Sequence, residues 1–222
     1  MTAIGWASIV SPMARNGILT VVRAASVALV LVAIVAQAVV LVGEGAFNPT
    51  RYFAFFTIQS NLIGVAALAV LVLRPAAPRS RGLELLRGAA AVYLTVTFFV
   101  VIFLLSNVDV QLQLGWVDFV LHKLFPIVVV ADWIVDPPTT RLTSRDIGVW
   151  LVYPLGWTAL TLVRGAVDGW YPYPFLDPAN GGYSAVVVTI LAILVGFAVV
   201  SALVVLLGNA RRGQARASAP PS

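Results

Sequence analysis

Residues 115–135 read Gly115-Trp-Val-Asp118-Phe-Val-Leu-His122-Lys123-Leu-Phe-Pro126-Ile-Val-Val-Val-Ala-Asp132-Trp133-Ile-Val135. The run is mostly apolar. At 1.5 Å per residue it spans roughly 30 Å, the thickness of a bilayer's hydrocarbon core. Yet it carries Asp118, His122, Lys123 and Asp132, and His122 is the one histidine in the chain. Ionisable groups are costly in hydrocarbon, so several on one apolar helix mark a candidate functional site.

Five more apolar runs lie around it, and the six cover about 24–42, 53–73, 89–105, 117–135, 147–163 and 184–207. The 222 residues are 60% hydrophobic and 10% charged, with a mean hydropathy of +0.97. Soluble domains are about 45–50% apolar and about 25% charged. The expectation is an all-α, polytopic membrane protein: one bundle of six transmembrane helices over 1–207, then a disordered basic tail over 208–222. The runs are continuous rather than alternating, which argues against a β-barrel. Runs 89–105 and 147–163 are short, but their neighbours favour spans. No internal repeat supports an inverted-repeat transporter.

Charge placement sets the expected orientation. Arg15 and Arg23 lie at the start of the first run, and Arg74, Arg79, Arg81 and Arg87 between the second and third. Arg141 and Arg145 lie between the fourth and fifth runs, and Arg211, Arg212 and Arg216 after the sixth. In a six-span chain these fall on one side, which the positive-inside rule puts in the cytoplasm with both termini. The first run is longer than a leader's apolar core and is expected to be retained. The net charge of +5 is spread through short loops, with no basic aromatic face, so nucleic acid is not an expected partner. Arginine far outnumbers lysine and alanine and valine abound, an association with GC-rich bacterial genomes. The expected location is a bacterial plasma membrane.

The helix that faces His122 is the next question. The second run enters from the outer side after Arg51 and reads Tyr52-Phe-Ala-Phe-Phe-Thr57-Ile-Gln59-Ser60-Asn61. Thr57 follows Arg51 by six residues and His122 follows Gly115 by seven, so both lie roughly 10 Å inside the same face. Thr57, Asn61 and Gly64 share one stripe, and Asp118, His122, Pro126 and Trp133 another. Facing stripes would bring a hydroxyl, an imidazole and a carboxylate together. Threonine needs an adjacent base to act as a nucleophile, and neutral imidazole is one. Asp118 is a candidate to orient the ring, although neighbours one turn apart often point past each other. Asn61 or Gln59 are candidate oxyanion donors.

Other polar residues suit a site near the outer face. Arg164 and Lys123 are candidate holders of a substrate carboxylate. Trp170 and Tyr171, in a proline-stiffened loop, suit either a lid or the interfacial aromatic belt. Asp132 lies about 15 Å from His122 along the axis and reads as a structural partner of an arginine or of a helix end. Ordinary readings stand beside these: threonine bonding its own helix, polar side chains joining helices, and a lysine snorkelling to the interface. One histidine and scattered carboxylates make a poor transition-metal site, so no metal or cofactor is expected.

Four segments in order, Phe56-Thr57-Ile-Gln59-Ser60-Asn61-Leu62, Leu121-His122 with Pro126, Asp132-Trp133, and Trp170 to Leu176, resemble the androgen-induced-gene/androgen-dependent-TFPI-regulating family. The resemblance is to its bacterial branch, described as Pr6Pr family membrane proteins, and covers the second to sixth runs. Eukaryotic members are atypical integral-membrane threonine hydrolases that cleave fatty acid esters of hydroxy fatty acids. The resemblance implies Thr57 as nucleophile, His122 as base, and a membrane lipid or fatty-acid-like substrate. The residues after the threonine and around the proline depart from the eukaryotic pattern. The alternatives are a proton-coupled transporter or small channel with His122 as relay, and a non-catalytic scaffold or sensor.

Overall fold

A computed structural model describes residues 12–105 and 114–217, and the regular elements among them are all helices. They are α1 Pro12–Gly43, α2 Pro49–Tyr52, α3 Phe56–Leu73, α4 Arg81–Leu104, α5 Gly115–Phe119, α6 Phe125–Val135, α7 Ser144–Asp168 and α8 Gly182–Ala217. A π-helical turn, Val120–Leu124, joins α5 to α6 without a break. Stretches of α1, α3, α4, α7 and α8 are each long and apolar enough to cross a membrane. Their outward faces carry exposed Val32, Val35, Phe103, Val152, Leu160 and Val188, which suits lipid contact and marks an integral membrane protein.

Helix ends differ from those expected, because capping rather than hydrophobicity sets them. The Ser80 hydroxyl accepts the Leu83 amide at 3.2 Å, so α4 starts well before the apolar run at 89. A capping box of Thr143 and Asp146 likewise starts α7 at Ser144. Gly169, at φ 69° in the left-handed region, closes α7. The stretch 208–217, expected to be disordered, is the last part of α8. Asn209 exchanges two 2.9 Å hydrogen bonds with the backbone of Leu142. Arg211 and Arg212 donate to the carbonyls of Ile134 and Thr139. Residues 218–222 of the expected tail lie outside the described residues.

α4 is the central helix, packed on α3, α6, α7 and α8. Its Gly88 leaves room for the Trp150 ring of α7, since a Cβ there would stand 2.1 Å from Trp150 Cζ2. Gly64 of α3 does the same for Phe125, at 2.7 Å. Small residues at such crossings let helices approach closely, which drives association where the hydrophobic effect is weak.

At one end of the bundle six charged side chains are gathered. Asp132 accepts from Arg23 Nε at 2.6 Å and from Arg87 Nη2 at 2.9 Å. Asp136 pairs with Arg23 and Arg79, and Glu84 with Arg79 and Arg87. Asp132 is thus an arginine's partner, as its position suggested. Three guanidiniums against three carboxylates leave no net charge, and the cluster ties α1, α4 and α6 together.

Candidate active site

The chain approaches α3 through a bend. Asn48 caps α2, its side chain accepting the Arg51 amide at 3.1 Å, and Pro49 takes the first helical position. The helix then breaks at 53–55 and restarts at Phe56, where a continuous helix from 53 was expected. The bend is held by Gln59 Nε2 on the Phe53 carbonyl at 2.7 Å and Trp157 Nε1 on the Ala54 carbonyl at 2.9 Å. Thr57 is therefore the second residue of α3. Phe55, at the cap position, provides no side-chain cap, so the first amides of α3 need partners from elsewhere.

His122 sits in the π turn, whose origin is local. The Phe125 amide bonds the Val120 carbonyl, five residues back. Proline has no N–H, so Pro126 can serve neither the His122 carbonyl in an α ladder nor the Leu121 carbonyl in a π ladder. Asn61 meets that deficit. Its Nδ2 donates to Leu121 O at 3.2 Å and to Thr57 O at 2.8 Å, locking α3 to the π turn at the depth of the candidate residues.

The expected pair then meets. His122 Nε2 lies 3.1 Å from Thr57 Oγ1, and His122 Nδ1 lies 2.7 Å from Asp118 Oδ1. Thr57 is 6% exposed and His122 3%. With Nδ1–H donating to the Asp118 carboxylate, Nε2 is free to accept a hydrogen bond from the Thr57 hydroxyl. Asp118 does reach the ring, and its other oxygen is 3.6 Å from Lys123 Nζ.

Tyr173, which sequence reasoning did not single out, completes the group. Its hydroxyl lies 3.3 Å from Thr57 Oγ1 and accepts the Thr57 amide at 3.3 Å. Pro174 confines Tyr173 to extended backbone, observed at φ −133° and ψ 138°. Its ring stacks on Phe175 at 5.2 Å and meets Phe55 edge-on at 5.7 Å. Burial raises the Tyr173 phenol above its ordinary pKa, although hydrogen bonds with Thr57 act the other way. The flanking prolines were the available signal, since they make its backbone position rigid.

Two cavities meet at Thr57 and Tyr173. One, of about 290 Å³, is lined by His122, Arg51, Asn48, Gln37 and Trp170. The other, of about 70 Å³, is lined by apolar side chains such as Val96, Val100, Ile193 and Phe197. Those first three also line an apolar groove of about 260 Å³ between α4 and α8.

The remaining expected residues are placed differently. Gln59 turns to Phe53 O and Tyr153, and the Asn61 amide is spent on Thr57 O and Leu121 O. Neither is an oxyanion donor. Lys123 is half exposed and does not line the cavity. Arg164 is engaged with Thr50 and Asp168. Tyr171 covers Gly165 instead of the cavity, its ring 2.1 Å from where a Cβ would stand. Trp170 does line the cavity, with Arg51 and Arg164 over its ring at 5.3 and 5.1 Å. The cation facing the cavity is Arg51, which makes no ion pair among the described residues. It was passed over because a single outer arginine reads as a helix flank.

No family model matches the chain, and neither a curated protein nor a solved structure shows significant similarity to it.

Proposed function

We propose that this chain is a six-span integral-membrane hydrolase of lipid esters. The observation that carries the reading is the hydrogen-bonded line Thr57–His122–Asp118 at the wall of a cavity. The unbroken helical run 115–135 supports a sixth span. The basic residues on one side of such a bundle support cytoplasmic termini, in a bacterial plasma membrane. The same threonine and histidine are the pair implied by the resemblance to the Pr6Pr branch.

In the reaction, the Thr57 oxygen attacks the ester carbonyl while its proton passes to His122 Nε2. The carbonyl π pair moves to oxygen, giving a tetrahedral oxyanion. On collapse the bond to the leaving alcohol breaks, and His122 returns the proton to that alcohol. An acyl-threonine remains. Water, deprotonated by His122, attacks it, and collapse releases the acid and restores the Thr57 hydroxyl. Asp118 holds the ring and balances the imidazolium.

The two cavities give the substrate a direction. His122 lines only the polar one, so the leaving alcohol departs there, and Arg51 is the cation available to an acidic group on it. The acyl chain takes the narrow apolar cavity and continues into the α4–α8 groove. The proton-relay alternative gains no support, because Asp132, the next carboxylate along the helix, is held by Arg23 and Arg87.

The test is fluorophosphonate labelling of purified protein in detergent. Wild type is expected to label, and folded Thr57→Ala and His122→Ala variants to lose labelling. An unlabelled, folded wild type that also leaves lipid esters intact would refute the hydrolase reading.

A further inference from the structure

We propose that Tyr173 is a catalytic residue, its phenol hydroxyl donating a hydrogen bond to the oxyanion formed when Thr57 attacks. The proposal rests on the hydrolase reading above. It arises from a gap that reading leaves: the two side chains expected to stabilise the oxyanion, Gln59 and Asn61, are committed elsewhere.

In the state poised for attack, with Nε2 of His122 unprotonated, the hydrogen bonds around Tyr173 run in one sense. Thr57 must give its proton to His122 Nε2, so its oxygen is left to accept, and the Tyr173 hydroxyl 3.3 Å away is the available donor. The Tyr173 oxygen in turn accepts the Thr57 amide. The phenol oxygen is held by a backbone donor, which leaves its one proton for the nucleophile.

In the tetrahedral adduct the oxyanion lies a little over 2 Å from the nucleophile's oxygen, the separation of two oxygens on one carbon. A hydroxyl resting 3.3 Å from Thr57 Oγ1 need only swing its proton from one oxygen to the other. Hydrogen bonds of this length at rest commonly tighten in the transition state. The N-terminal amides of α3, uncapped by Phe55, add positive potential at the same place. Tyr173 also borders both cavities, and its hydroxyl is within 3.3 Å of the nucleophile between them, with the acyl chain on one side and the alcohol on the other.

Tyr173→Phe keeps the ring and its stacking and removes only the hydroxyl. The experiment compares its kcat, KM and thermal midpoint with wild type on a fluorogenic medium-chain ester, with Tyr183→Phe on the exposed surface as control. The expected result is a fall in kcat of about 10²–10³-fold, with KM within about threefold and the fluorophosphonate labelling rate falling in parallel. A kcat within threefold of wild type, or a change confined to KM, overturns the proposal and leaves the hydrolase reading standing. Wild type inert to both ester and probe overturns the hydrolase reading first, and this proposal with it. Should Tyr173→Phe not fold, 3-fluorotyrosine at 173 decides. Its more acidic phenol should move the alkaline limb of the kcat profile to lower pH, and an unmoved profile overturns the proposal.

Discussion

Asp118 accepts from His122 Nδ1 at 2.7 Å, and that contact sets which ring nitrogen faces Thr57. Asparagine at 118 can present an N–H to the ring and favour the opposite tautomer, leaving Nε2 protonated and unable to take the hydroxyl proton. Asp118→Asn is expected to lower kcat by on the order of 10³-fold, less than a fully buried triad aspartate, because this carboxylate is partly exposed. Turnover of a lipid ester measures it, and a loss below threefold would remove Asp118 from the machinery. At this scale the sequence was informative where chemistry stands out against hydrocarbon. Thr57, His122 and Asp118 are conspicuous in apolar runs. Tyr173 and Arg51 are not, since an aromatic or an arginine at the membrane interface has an ordinary explanation.

The π turn makes the meeting of helices possible. Pro126 withholds the amide that would close the ladder beneath His122, and Asn61 takes up the unserved Leu121 carbonyl. Restoring that amide should let the helix close as a regular α ladder and rotate His122 relative to Thr57. Pro126→Ala is therefore expected to reduce kcat by about 10-fold or more, as a misplacement near 1 Å can cost 10²-fold, without lowering the thermal midpoint. Unchanged kcat would mean that the proline does not position the histidine. The sequence located the apolar runs well. It missed the turn and the restart of the chain at Phe56, because both come from backbone hydrogen bonding that hydropathy does not register. Thr57 and His122 meet although the helix expected through 53–55 is interrupted there. The extra turns of α4, α7 and α8 were hidden for the same reason: caps and tertiary contacts hold them.

Across the whole molecule, the site and the ion-pair cluster occupy different ends of the bundle. The cluster is expected to make the fold sensitive to acid. Burial pushes the Asp136 carboxyl up, but the guanidiniums of Arg87, Arg79 and Arg23 outweigh it and hold the group below its ordinary range. A depressed folded pKa stabilises the fold above the unfolded value of ~3.9, and that stabilisation is lost as pH falls through the folded value. Asp136→Asn should cost about 3 kcal/mol near neutrality, the low end for a buried pair because the carboxylate is partly exposed, with the difference from wild type vanishing in strong acid. Thermal melts of both proteins from pH 7 to pH 2 measure this, and a constant difference would contradict it. Asp132 was legible as a structural residue, with an arginine as one of two expected partners. Its partnership with Arg23 was not, because an arginine at a helix start is already explained by the positive-inside rule. Peptide mass spectrometry of fluorophosphonate-treated wild type tests whether Thr57 is an activated nucleophile. The expected result is a single stoichiometric adduct on Thr57, absent from His122→Ala. An adduct on another side chain, or lipid-ester turnover that survives Thr57→Ala, would contradict it.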